Sequence, residues 1–147
     1  MTKRFENIIF TKLMTEALFP SWNDDSNILF RFEDRNFLLE LFPDNNKFMK
    51  LKSIEFFISG SDEYINVSHI IAIKVAARYP LVKFSCNGHH FTAIYEFFLH
   101  QEEHFIDELY EGISAIGLAI NEFFFRLGIF EENSVKNNSN LLNLNLN

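Results

Sequence analysis

Apolar residues recur every three or four positions in three segments, and this spacing is typical of amphipathic helices. The first segment, 3–19, places Phe5, Ile9, Leu13 and Ala17 on one stripe, and Pro20 ends it. The second, 63–78, follows Ser61 or Asp62 as N-cap residues and stops before Pro80. The third and longest covers 101–127. The pattern therefore predicts three helices.

Apolar and polar residues alternate in five other segments, as half-buried strands require. These predicted strands are 28–33, 37–42, 48–58, 81–86 and 89–99. The alternation slips within the third strand, which predicts a β-bulge around 50–53. Asn87-Gly88 predicts a hairpin with a type I′ turn between the last two strands.

The predicted order is α-β-β-β-α-β-β-α. Strands that follow one another through short turns pair antiparallel, and helices then cover one side of the sheet. We therefore expect an α+β fold with a mainly antiparallel five-stranded sheet and the helices packed on one face.

The composition changes after Gly128, which is a plausible helix C-cap. Residues 133–147 hold seven Asn and four Leu. We predict a single domain over 1–130 and an Asn/Leu-rich low-complexity tail over 131–147, disordered by composition. The alternation of Leu142, Leu144 and Leu146 with asparagines leaves a second reading open, in which the tail adds as a strand to a sheet edge.

The last predicted helix carries two apolar stripes, and a helix that is apolar on two sides is usually buried on both. One side would pack on the sheet, and the other would contact a second copy of the chain. The expected interface residues are Phe105, Leu109, Tyr110, Ile113, Ile116, Ile120 and Phe124. The chain also contains 19 Phe, which is either a compositional habit or a sign of aromatic side chains on such an interface.

The formal net charge is −7, which argues against binding to nucleic acid or to an anionic membrane surface. The single cysteine, Cys86, cannot form an intrachain disulfide, and residues 1–19 lack the apolar stretch of a signal peptide. No run approaches the ~18 apolar residues of a membrane span. We therefore expect a cytoplasmic protein.

Chemical motifs are scarce in the sequence. None of the five glycines forms a phosphate-binding pattern, there is no GxSxG elbow, and we expect no cofactor and no catalytic residue. The alternative reading is a small metal- or ligand-binding enzyme, because His100 and His104 are spaced i, i+4 and could share one helix face. The paired acids fall at predicted turns and element ends, where carboxylates are solvated.

Several stretches resemble the YbjN-like proteins. They are the hairpin-forming run 30–41, the Phe48-Met49-Lys50-Leu51 run, the Ala76-Ala77 helix end and the Val82-Lys83-Phe84 strand. That family is similar in fold to the class I type III secretion chaperones, which are small, acidic and usually dimeric. The resemblance covers about residues 5–128 and implies a non-catalytic module or regulator. Such a protein would form a homodimer and bind a protein or peptide client through apolar surface.

Overall fold

The computed structural model describes residues 2–45 and 47–146, with side chains described for 4–45 and 47–136. Six strands form one antiparallel sheet. They are β1 Ser21–Trp22, β2 Ile28–Phe32, β3 Arg35–Leu41, β4 Phe48–Ile58, β5 Val82–Asn87 and β6 His90–Phe98, in the spatial order β1-β2-β3-β4-β6-β5. Three α-helices accompany the sheet, α1 Thr2–Thr15, α2 Asp62–Arg78 and α3 Phe105–Leu146, with a 3₁₀ turn over Glu102–His104 before α3.

One face of the sheet carries the core, and this confirms the predicted α+β class. The inward positions of β2, β3, β4 and β6 are buried, and so are Ile9 and Leu13 of α1 and the inner stripe of α3. The outward positions of the same strands are mostly half-buried or exposed. The sheet has six strands where five were predicted, because the two-residue β1 is too short to show an alternation. Trp22 of β1 stacks on Phe10 of α1, with ring centroids 5.0 Å apart.

A bulge in β4 determines the positions of two phenylalanine side chains in the core. Its register shifts between Ser53 and Phe57, a few residues later than predicted, and Glu55 within the shift has a positive φ of 51°. The shift turns two consecutive side chains to the core face: the rings of Phe56 and Phe57 each lie 5.2 Å from that of Phe123. Phe84 and Phe91 contact Phe123 as well, so part of the surplus of Phe fills one aromatic cluster around Phe123 of α3.

Two local predictions are wrong. Asn87 pairs with His90, so the β5–β6 loop is Gly88-His89 and only its first residue, Gly88, has a positive φ. That is the pattern of a type II′ turn and not of the predicted type I′ turn. Gly128 does not end α3: the helix continues to Leu146, in place of the disordered or strand-forming tail expected over 131–147. A helix tolerates an interior glycine at a cost of up to ~1 kcal/mol, and a Cβ at Gly128 would meet nothing within 4 Å.

Candidate functional site

The predicted partner interface on α3 needs correction. Five of its seven side chains, those of Phe105, Leu109, Ile113, Ile116 and Ile120, are buried in the chain's own core. Tyr110 is half-buried and Phe124 is exposed. The physical reason is the position of α3, which packs on β4, β5 and β6 and touches both other helices. The inner stripe of α3 is therefore used inside the domain, whereas Leu118 and Phe125 on another side of the helix are 56% and 65% exposed.

The open edge of the sheet lies at β5. This strand pairs with β6 on one side and has no strand on the other side in the described part of the chain. The opposite edge is more protected, because β1 pairs with the start of β2 and the backbone N–H of Arg31 donates to the carbonyl of Leu18. In an antiparallel strand, backbone groups point alternately to the two neighbours. An edge such as β5 can therefore accept another strand.

A cleft of about 230 Å³ runs between the β5 edge and α2. Its walls are mostly apolar and include Ala72, Ile73 and Ala76 of α2 and Phe84 and Cys86 of β5. A strand added to β5 would project alternate side chains towards this cleft, because side chains alternate between the two faces of a sheet.

Large aliphatic side chains stand exposed beside the cleft. Ile70 is 54% exposed, Ile73 is 71% exposed, and Leu81, just before β5, is 63% exposed. Meanwhile Ser68, Ile71, Ala72 and Val75 form the buried side of the same helix. We call the set Ile70, Ile73, Leu81, Phe84 and Cys86 the β5 edge surface. It is an apolar rim along an unpaired strand.

The β5 edge surface has no reactive group. Burial raises the pKa of the Cys86 thiol, and its Sγ lies 3.0 Å from the carbonyl oxygen of Gly88, to which it donates. A thiol held protonated in this way is a poor nucleophile and a poor metal ligand. What the edge offers is therefore shape, apolar area and backbone hydrogen bonds.

The histidines do not form the metal pair of the alternative reading. His100 lies in a bend before the 3₁₀ turn and His104 at the end of that turn, so they do not share a helix face, and both are exposed. His89 faces Asp62 and His90 faces Glu55, each at 3.4 Å. No group of three or more His, Cys, Asp and Glu within the described residues is arranged to hold a metal ion.

The outward face of the sheet is a mixed polar surface. Lys52 pairs with Glu40, while Lys50 and Lys83 both pair with Glu96, at 3.7 and 3.1 Å. At one end of this face the rings of Phe42 and Phe98 each lie 5.0 Å from that of Phe48. Antiparallel sheets commonly expose one face to solvent, and these cross-strand ion pairs fit that arrangement.

Sequence reasoning missed the β5 edge surface, although α2 carries a signal for it. The apolar positions of that helix include Ile70, Ile71 and Ile73. These residues cannot all point inward on a helix of 3.6 residues per turn. A second stripe through Ile70 and Ile73 was therefore present in the pattern.

Comparison with known protein families, with curated proteins and with solved structures gives no significant match to this chain. By length and composition alone, α3 could cross a membrane, the one such helix in the described part of the chain. One such helix is weak evidence, because the core helix of a soluble protein passes the same test.

Proposed function

We propose that this chain is a non-catalytic protein-binding module of the cytoplasm, built like the YbjN-like proteins and class I secretion chaperones, and that its first partner is a second copy of itself. The observation that carries the proposal is the β5 edge surface: an edge strand with one free side among the described residues, next to a cleft lined by the exposed Ile73, with two more exposed aliphatic side chains on α2 and in the turn before β5. A twofold axis through this edge would join two sheets into one.

A specific register fits the edge. If Phe84 lies opposite Phe84 of the second copy, Lys83 faces the copy's Ser85 and Val82 faces its Cys86, so no like charges meet. Inward side chains of one copy then meet inward side chains of the other, as antiparallel pairing requires. A twofold contact of this kind is self-complementary, which is the usual basis of homodimers.

Burial of the exposed aliphatic side chains would supply a free energy of the size that dimerisation requires. Fully burying an exposed Ile or Leu is worth about 1.5–3 kcal/mol, and the two copies together bring six such side chains, each already partly covered. Their gain is on the order of 10 kcal/mol, against an association cost of about 4–15 kcal/mol. We therefore expect a reversible dimer whose population depends on the protein concentration.

Light scattering after size exclusion tests the dimer. We expect the unaltered chain to give twice the monomer mass at high concentration and Ile73→Asp to give the monomer mass. Phe125→Asp is the matched control, because Phe125 is similarly exposed, at 65%, but lies on α3. A monomer at all concentrations, or a dimer lost only with Phe125→Asp, would contradict the proposed surface.

Disulfide trapping tests the register. In a Cys86→Ala background, the double variant Lys83→Cys, Ser85→Cys should form a covalent dimer on oxidation. Directly opposed residues of neighbouring strands bring their Cα atoms within the ~4.4–6.8 Å range of disulfides. Thr92→Cys in the same background lies on β6, inside the sheet, and should not cross-link. Equal cross-linking of both variants would show that the cross-links form by random collision, and this would contradict the proposed register.

A further inference from the structure

A second cleft lies at the other side of the domain, between the β2–β3 hairpin and α3. It measures about 650 Å³, a volume within the range of ligand sites. We call it the hairpin cleft and define it by Phe32, Arg35, Phe37, Ile113, Gly117 and Leu118. Its lining is mixed: the other residues are polar, namely Glu33, Asp34, Ser114 and Asn121.

The sheet register directs Arg35 towards the helices. Arg35 pairs with Phe32 across the hairpin and precedes the buried Phe37 by two residues, so all three share the core-facing side. Its Nη1 would lie 3.8 Å from a Cβ built on Gly117. The guanidinium therefore lies over α3, where the glycine leaves room beside it.

Arg35 has no carboxylate within ion-pair distance among the described residues, although the chain carries 20 acidic residues. Two other arginines behave differently: Arg78 and Arg126 both pair with Glu122, at 3.4 and 3.1 Å. The nearest acid in sequence, Asp34, pairs instead with Arg31 at 3.8 Å. Arg35 is thus a half-buried cation that makes no ion pair with any described residue, although Glu33 and Asp34 line the same cleft.

The hairpin cleft continues into a second hollow of about 410 Å³, with which it shares Phe32 and Glu33. Phe19, which is 83% exposed, and Tyr110 line that hollow. The two hollows therefore adjoin each other at the end of the hairpin. Two adjoining open hollows fit a chain segment better than a compact small molecule.

We propose that the hairpin cleft binds a segment of a partner protein in which an acidic side chain adjoins an aromatic or aliphatic one. The carboxylate would accept two hydrogen bonds from Arg35, the geometry that a guanidinium favours. The apolar side chain would lie on Phe32, Phe37 and Ile113. This inference rests on the proposed protein-binding function and names the chemistry of the client.

The two exposed acids in the lining make the cleft selective against free anions. Glu33 and Asp34 repel a free anion in solution, whereas a carboxylate attached to an apolar group is held in place by the burial of that group. Inorganic phosphate should therefore bind weakly or not at all.

Nitrogen-15 NMR titrations with two matched probes test the inference. The probes are blocked pentapeptides, Ala-Leu-Glu-Phe-Ala and the same peptide with Gln in place of Glu. We expect the Glu peptide to shift the Gly117 amide and the Arg35 Nε signals and to bind at least about tenfold more tightly than the Gln peptide. Equal affinities of the two peptides for the unaltered chain would overturn the proposal.

The variant Arg35→Met keeps an apolar stem without the charge, and its fold is checked by circular dichroism. It should remove the difference between the two peptides, and Arg35→Lys should restore part of it. A Glu preference that persists in Arg35→Met would place the carboxylate elsewhere and overturn the proposal. Binding of 4-phenylbutyrate to the cleft without binding of the Glu peptide would show a small-acid site and contradict the partner segment.

The two proposals fail separately. Ile73→Asp should abolish the dimer and leave the Glu preference intact, because the β5 edge and the hairpin cleft lie on different parts of the sheet. A dimer that binds the Glu and Gln peptides equally would contradict only the inference on the cleft. A monomer that still prefers the Glu peptide would contradict only the proposed dimer.

Discussion

Ala17 ends α1 in a conformation that glycine normally provides. Its φ is 58°, its N–H donates to the carbonyl of Met14, and the N–H of Leu18 donates to that of Leu13. These two bonds are those of a Schellman motif with Ala17 at the C′ position. The contact between the buried Leu13 and Leu18 that accompanies the motif explains why the chain accepts a left-handed alanine.

Ala17→Gly should therefore stabilise the protein. Glycine removes the Cβ clash of the left-handed region, and we expect the free energy of unfolding in urea to rise by about 1 kcal/mol. Ala77→Gly is the control: Ala77 is exposed within α2, where glycine costs up to ~1 kcal/mol. A loss of stability with Ala17→Gly would show that the motif is not formed in solution.

Ser68 and Ser59 are both buried serines with opposite hydrogen-bonding states. The Oγ of Ser68 has no hydrogen-bond partner among the described residues, whereas that of Ser59 donates to the carbonyl of Ser61 at 3.0 Å. Because a buried unpaired hydroxyl costs about 1–3 kcal/mol, Ser68→Ala should leave stability unchanged or raise it. Ser59→Ala should lower it by about 1 kcal/mol. Urea denaturation measures both, and a clear loss with Ser68→Ala would mean that its hydroxyl finds a partner.

Two tyrosines should make the protein sensitive to alkali. Burial and the carboxylates of Glu108 and Glu111 raise the pKa of Tyr95, and burial and Glu16 raise the pKa of Tyr110. A raised folded-state pKa adds stability that is complete below the unfolded value of about 10 and disappears as the pH rises through the folded value. We expect the free energy of unfolding to fall less steeply above pH 10 in Tyr95→Phe than in the unaltered chain. Absorbance of tyrosinate in the native state follows the same groups, and titration of all four tyrosines at their ordinary pKa would contradict this.

At the scale of the element, α3 approaches the sheet most closely at Gly112. A Cβ there would lie 2.6 Å from the Tyr95 ring and 3.0 Å from Leu51, whereas at Gly117 the nearest atom is 3.8 Å away. Gly112→Ala should therefore destabilise the protein by about 1–3 kcal/mol through overpacking. Gly117→Ala should stabilise it by up to ~1 kcal/mol, because alanine is the better helix former and the space is open. Similar effects of the two substitutions on urea unfolding would contradict the close approach.

Most elements could be predicted from periodicity because each buries one regular stripe. The predicted bounds of β4, 48–58, coincide with Phe48–Ile58, and those of α2 differ by one residue. The bulge was misplaced because the pattern alone does not show that Phe56 and Phe57 both turn inward to meet Phe123. The strand β1 was missed because two residues have no period, and what holds Trp22 is its stacking on Phe10.

At the scale of the whole molecule, the site could be predicted less well than the fold. Whether an apolar stripe is free depends on which element lies beside it, and that is set by the strand order. The order β4-β6-β5 places α3 over the middle of the sheet and leaves β5 at the edge beside α2. The sequence therefore showed helices with apolar residues on two sides, but not that the inner stripe of α3 is buried in the domain while Ile70 and Ile73 of α2 stay exposed. Arg35 was missed for a similar reason, because its place on the core-facing side follows from the hairpin register.

The last prediction concerns the boundary of the domain. Leu127 is the last buried apolar residue of α3 within the side chains described, and Phe130 still contacts Tyr64, with ring centroids 5.8 Å apart. From 131 to 136 the side chains are exposed, except for the half-buried Ser134. A chain shortened to residues 1–132 should therefore unfold in urea with a free energy within about 1 kcal/mol of the full chain, because none of the described side chains beyond 132 is buried.

The matched control is a chain shortened to residues 1–121, which loses Phe123 and Leu127. Removing Phe123 takes the central ring from the aromatic cluster, where Phe56, Phe57, Phe84 and Phe91 all meet it. Truncating a buried Phe alone costs about 3–5 kcal/mol, which is comparable with the whole stability of a small domain, so this shorter chain should not fold. A loss of more than about 2 kcal/mol in the 1–132 chain would instead show that the distal half of α3 packs against the domain or against a second copy. Light scattering of the same sample separates these two cases, because only contact with a second copy would change the mass.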